Sequence, residues 1–215
     1  MTNDRRITLS QRNYQNITNE EMDMLREAGN IASGNAMTSL SQLIGCTVDM
    51  NVARVRIENI QQLSEVLGDP EEVIAGMIVN VYGDLNAMLL LAFETKSAIG
   101  IIDTMLGKSM HTLEELDELD HSVLCETGNI LAGSYLNALN TFTGLNLDVS
   151  IPQMAIDMAG AILSYPVIEF VRNDNTMLFI ETIFKDVNGL LNGTYILILD
   201  NESYNKVIDS LGAYI

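Results

Sequence analysis

Glu27 and Asn30 lie three positions apart, and Glu126 and Asn129 repeat the pair 99 positions later. An ionised carboxylate only accepts hydrogen bonds, so it can grip a cationic side chain on a partner. A carboxamide cannot take a proton, but it can orient a water by donating and accepting hydrogen bonds. Phosphoryl transfer needs that kind of help, because its catalysis is mainly positioning against a phosphoryl group already held by metal and lysine. Other chemistries find no residues. The histidines, His111 and His121, lie in and just after an acidic link, where surface positions at a helix start account for them. No Ser/His/Asp set, no His or Cys cluster of metal-ligand spacing and no Gly-Lys-Ser/Thr phosphate loop is present. The two pairs look like half an active site, completed by a macromolecular substrate that brings its own metal.

The pairs belong to a longer repeat. At the constant offset, Glu27, Gly29, Asn30, Ile31, Gly34, Leu40, Gly45, Asp49 and Ile57 are identical to their counterparts, nine in all, while the apolar positions drift. On a helix turning about 100° per residue, Asp23, Glu27, Asn30 and Gly34 share one face. Leu25, Ala28, Ala32, Ala36 and Leu43 take the opposite one. Ser122, Glu126, Asn129 and Gly133 are likewise set against Leu124, Leu131, Tyr135 and Phe142. A single exposed Glu and Asn would read as a solvated face. Repetition of a mediocre helix former and of an interior glycine, which costs about 1 kcal/mol against alanine, argues instead for a contact surface. A glycine beneath the pair strips away bulk and lets another surface approach the backbone.

These faces need a scaffold, and the chain is long enough for a large core. It is 47% hydrophobic and 19% charged over 215 residues. A net charge of −18 argues against nucleic acid and against anionic membrane surfaces. No stretch approaches the roughly 20 apolar residues of a membrane span, and no signal peptide opens the chain, so a cytoplasmic protein is expected. Cys46 and Cys125 are too few for a disulfide framework and are not repeat-equivalent, since Cys46 aligns with Leu145; both read as small core hydrophobes. Most of the twelve methionines, Met22, Met24, Met37 and Met154 among them, read as core filler.

Residues 1 to about 17 read as a polar, poorly ordered lead-in. Thr18 and Glu21 form a capping box that opens a helix running to about Ile44, ended by Gly45. A strand from Thr47 to Val55 follows, and residues 59–67 are an uncertain short helix. A hairpin of Val73 to Val81 with Ala87 to Phe93 leads to a helix from about Thr95 to Leu106. After the acidic link (about 108–117) the order returns: a long helix to about Phe142, a strand from Leu145 to Ile151, and an ambiguous stretch from Asp157 to Phe170 in which Pro166 opposes a regular interior. Strands from Thr176 to Phe184 and Thr194 to Leu199, turning near Asn188-Gly189, precede a last helix from Glu202 to Leu211. The expected fold is α/β of the α+β type, in one domain over 1–215. Helix-β-β-β-helix units (about 18–107 and 118–212) form an antiparallel-rich sheet covered by long helices, with pseudo-twofold symmetry.

Asp23-x3-Glu27-x2-Asn30 and Ser122-x3-Glu126-x2-Asn129, the latter followed after 22 residues by Pro152, resemble the signature of the CheC/CheX/FliY chemotaxis phosphatases. The resemblance spans nearly the whole chain. It implies a phosphatase acting on the phosphorylated response regulator CheY, whose acyl phosphate sits on an Asp beside Mg²⁺. No cofactor of the protein's own is implied. Asn30 and Asn129 would position the hydrolytic water, and Glu27 and Glu126 would contact the regulator's lysine. It further implies CheD, a receptor-modifying deamidase, as a binding partner. An internal duplication can supply the symmetry of a dimer, so a monomer is expected.

One departure stands out: Ala53 occupies the place that Pro152 holds in the second half. A proline fixes φ and removes a donor, stiffening the adjacent strand, so the second site is expected to be the stronger. The main rival is a non-catalytic module, since the middle domain of the flagellar switch protein FliM shares the fold without the phosphatase residues. FliY's extra C-terminal domain is not expected in a chain ending soon after the last repeat helix. The dimeric, single-motif CheX is disfavoured by two motifs, and a small-molecule phosphatase by the lack of a nucleophile or metal site.

Overall fold

The computed structural model describes residues 13–59, 66–109, 112–170, 176–188 and 191–212. The chain order is α1 (Asn19–Ile44), β1 (Val48–Met50), β2 (Arg54–Asn59), β3 (Val73–Gly83), β4 (Ala87–Glu94) and α2 (Thr95–Leu106). Then come α3 (Glu118–Thr143), β5 (Leu147–Val149), β6 (Gln153–Met158), α4 (Ala159–Phe170), β7 (Thr176–Asp186), β8 (Asn192–Leu199) and α5 (Asn201–Gly212). The long helices begin and end where their local chemistry dictates. Thr18 Oγ1 accepts from the Glu21 N–H at 3.2 Å while Glu21 returns an acceptor to the Thr18 N–H at 2.8 Å. Asp117 and Asp120 form the same reciprocal cap on α3. Gly45 (φ 72°) and Gly144 (φ 71°) stop the two helices in the left-handed conformation.

The eight strands form one sheet in the order β1-β7-β8-β4-β3-β5, with β2 also on β7 and β6 also on β3. All of these pairings are antiparallel. Exchanging the halves reverses this order onto itself, and the register obeys the exchange. Val48 pairs with Asp186 as Leu147 pairs with Gly83. At the centre, Leu90 of β4 faces Ile196 of β8, its own counterpart, so the pseudo-twofold passes between them. Side chains repeat it too: the Asn192 N–H donates to Ser97 Oγ (2.7 Å) and the Asn86 N–H to Ser203 Oγ (2.8 Å), each tying a helix of one half to the hairpin of the other.

Both faces of the sheet are covered, which is why Ala87–Phe93 is apolar without alternation. On one face, Leu89, Leu91 and Phe93 pack under α1, α2, α3 and α5. On the other, Met88, Leu90 and Ala92 pack with Ile162 and Leu163 of α4. Arg56 holds β2 against β7, lying 5.6 Å from the Phe179 ring centroid and bonding Glu181 (3.3 Å) and Glu58 (2.9 Å).

The fold class is as expected, but each half carries four strands before its hairpin closes rather than three. The strand anticipated over Thr47 to Val55 breaks at residues 51–53 and resumes as β2, and the one over Leu145 to Ile151 breaks at residues 150–152 and resumes as β6. At each break one N–H stays in the sheet, Asn51 donating to Ile183 O (2.8 Å) and Ser150 to Asn80 O (2.9 Å), after which the chain leaves the ladder. The ambiguous stretch after Asp157 is a helix running through Pro166. The first turn of α4 is held by Ala159 N–H on Glu72 O (2.8 Å) and Gly160 N–H on Pro70 O (3.0 Å), and burial of Ile162, Leu163 and Pro166 outweighs the one lost backbone bond. The lead-in is less free than anticipated from residue 13 on: Tyr14 is buried, donates from its hydroxyl to Thr176 O (2.9 Å) and meets Tyr204 edge-on. The possible helix near residues 60–65, His111 and Gly189 lie outside the described residues.

Candidate functional site

The buried side of α1 is made of Leu25, Ala28, Gly29, Ala32, Ser33, Ala36, Met37 and Leu40, so the opposite side faces out. Asp23 and Glu27 are exposed there and Asn30 is half-buried. On α3, burial of Leu124, Thr127, Gly128, Leu131, Ala132 and Tyr135 turns Ser122, Glu126 and Asn129 outward, and all three are exposed. The expected sets are thus each brought together on one face. Leu43 and Phe142, placed at the far ends of the apolar sides, are half-buried.

The two glycines of each motif helix do different jobs. Gly34 and Gly133 are on the outer side, and an added methyl there would meet nothing within 4 Å, which leaves open ground beside each pair. Gly29 and Gly128 are on the inner side. A methyl on Gly29 would come within 2.5 Å of Ile180 Cγ2 and 3.0 Å of Ala53 Cβ, and one on Gly128 within 2.5 Å of Met77 Sδ. They let the helices settle onto the sheet.

The two polar sets differ in their hydrogen bonds. Asp23 pairs with Arg26, whereas Ser122 Oγ donates back to Glu118 O at 2.8 Å. Asn30 accepts at Oδ1 from the Ala53 N–H, 2.7 Å away. Pro152, at the matching position, has no N–H to give, and the Asn129 side chain engages no partner among the described residues. Glu27 and Glu126 are equally unengaged there. Pro152 thus differs from Ala53 in its missing donor as well as in its fixed φ. The sequence carries one further signal. Val52 and Ile151, at matching positions just before Ala53 and Pro152, are 64% and 86% exposed, an outward apolar residue in each strand break.

Cys46 and Cys125 are half-buried rather than core, and both are free thiols. Burial, with Asp186 nearby for Cys46, raises both pKa values, so neither is an activated nucleophile. His121 is exposed. Among the described residues, no three His, Cys, Asp or Glu side chains converge to hold a metal ion, and no helix is long and apolar enough to cross a membrane. What the arrangement offers is two outward carboxylate-carboxamide faces on long helices, each with a glycine on the same side. The second is fully exposed, and the first holds its carboxamide against Ala53.

A model of the CheC-like family matches residues 20–52, which hold the first pair, and one of the chemotaxis phosphatase CheX matches residues 75–168, which hold the second. The chain is 30% identical over 204 residues to the CheY-P phosphatase CheC of Bacillus subtilis, covering 93% of this chain and 98% of that protein. Among solved structures, FliY of Thermotoga maritima superposes with a TM-score of 0.73 at 25% identity, over 93% of this chain and 99% of that one. The FliM middle domain of H. pylori superposes at 0.60 with 12% identity, over 90% and 99%, a likeness of fold alone.

Proposed function

The chain belongs to the CheC family of chemotaxis phosphatases, and from that membership we propose that it hydrolyses the acyl phosphate of phosphorylated CheY. Glu126 grips a lysine of the regulator, and Asn129 enters the regulator's acidic pocket and orients a water in line with the phosphorus. The water oxygen bonds to phosphorus as the bond to the aspartyl oxygen breaks, releasing inorganic phosphate and the free carboxylate. Asn129 takes no proton; it supplies position. Mg²⁺ belongs to the substrate and stays with it. Glu27 and Asn30 form the equivalent first site, and Asp23, Ser122 and Pro152 support the two faces.

The observation that carries this reading is the exposed Asn129 carboxamide, which engages no partner among the described residues. In the same proposal the protein is cytoplasmic, works as a monomer of two fused halves and binds CheD. Decay of phosphorylated CheY is measured with the wild type, Asn30→Ala, Asn129→Ala and the double variant. Acceleration by the wild type, lost in a folded double variant, supports the proposal. A wild type that binds phosphorylated CheY without hastening its decay rejects it in favour of a docking module.

A further inference from the structure

Resting on that reading, we propose that the backbone N–H of Ala53 is a latch on the first site. It holds the Asn30 carboxamide in a self-bonded position, so the second half hydrolyses while the first mainly binds.

The geometry is specific. Residues 51–53 leave the sheet between β1 and β2, and Gly29 lets this break press against α1. Ala53 is 1% exposed, so its N–H has no water to turn to. Asn30, one residue beyond Gly29, is the acceptor it finds at 2.7 Å. Because the facing group is a donor, the carboxamide must present its oxygen inward. That oxygen is the atom that would accept from an attacking water. To use it fully, Asn30 must swing out and abandon a buried donor, which carries the full desolvation penalty of that donor.

In the second half the same break, at residues 150–152, ends in a residue without an N–H. Among the described residues no donor holds Asn129, and no buried group there is orphaned when it moves. The choice between a secondary and a tertiary amide at this one backbone position thus sets whether the carboxamide is ready or restrained. Ala53 is a positioning residue: it acts through Asn30 and touches no substrate.

The test removes the donor from one half and installs it in the other. In an Asn129→Ala background, Ala53→Pro should raise kcat for phosphorylated CheY by about 5- to 100-fold with KM little changed, the span expected for a buried donor left unpaired. In an Asn30→Ala background, Pro152→Ala should lower kcat by a comparable factor, again with KM little changed. Folded variants that leave kcat unmoved in both backgrounds overturn the latch. Should Ala53→Pro fail to fold, Pro152→Ala decides alone.

Amide hydrogen exchange at Ala53 gives a readout independent of turnover. The latch predicts slow exchange in the wild type that quickens in Asn30→Ala. Fast exchange in the wild type, or exchange indifferent to Asn30, overturns it. If the wild type shows no phosphatase activity at all, the proposed function falls, and the exchange data still decide whether the latch exists.

Discussion

Gly29 and Ala53 stand so close that a methyl on Gly29 would lie 3.0 Å from Ala53 Cβ. That approach brings the Ala53 N–H to the carboxamide of the next residue, Asn30, and makes the two halves chemically unequal although their backbones correspond.

The inequality should appear in stability. Asn30→Ala leaves the Ala53 N–H buried and unpaired and should cost about 1–3 kcal/mol. Asn129→Ala removes an exposed side chain with no partner among the described residues and should change stability by less than about 0.5 kcal/mol. Urea unfolding of the two variants checks this; equal losses would contradict it.

Gly34 and Gly133 should show stability and activity moving in opposite directions. Replacing either with alanine meets no atom within 4 Å and should stabilise the helix by up to about 1 kcal/mol. The added methyl occupies ground that a docked regulator needs, so KM for phosphorylated CheY should rise. A higher melting temperature with unchanged KM would show that the open ground serves no partner.

Ile151 is 86% exposed beside Pro152. Its position suits an apolar anchor for the regulator at the second site. Ile151→Ser should raise KM by about tenfold, the worth of one buried aliphatic side chain at a contact, and leave kcat alone. Val52→Ser at the restrained site should raise KM by less. The measurement is steady-state decay of phosphorylated CheY; a fall in kcat with constant KM would place Ile151 in the chemistry rather than in docking.

Acid should loosen the junction between the halves. Lys108 bonds Asp117 at 2.9 Å and Asp120 at 2.6 Å. Lys108 and the capping N–H groups of α3 lower the Asp117 pKa from its ordinary 3.8 to about 2. Asp117 is thus a stronger acid folded than unfolded. Its contribution is complete above 3.8 and disappears as pH falls toward about 2. In Lys108→Met the decline of stability across that window should be shallower than in the wild type. Parallel curves would show that the bridge does not report on folding.

What the sequence made legible was local or repeated. The helix ends at Thr18, Gly45 and Gly144 follow from chemistry within one turn. The outward faces of Glu27, Asn30, Glu126 and Asn129 follow from helical periodicity plus recurrence. What stayed hidden depends on contacts distant in sequence. The breaks at 51–53 and 150–152 exist because β7 and β3 hold the chain on either side of them. The helix through Pro166 exists because the sheet's second face needs a cover. Ala53 was visible as a departure from proline, but the direction of its N–H is set by how closely α1 lies on the strand break.

The outermost strands of each half hydrogen-bond to the other half: β1 and β2 complete β7, and β5 and β6 complete β3. Neither half is a closed unit, because cutting the chain in the link would strip every outer strand of its ladder partner. Two such fragments would be obliged to reassemble in order to satisfy their edges. Two copies of one fragment could meet the same demand across the Leu90 and Ile196 axis, so the topology already contains the plan of a homodimer, folded into one polypeptide and thereby free to let its two faces diverge.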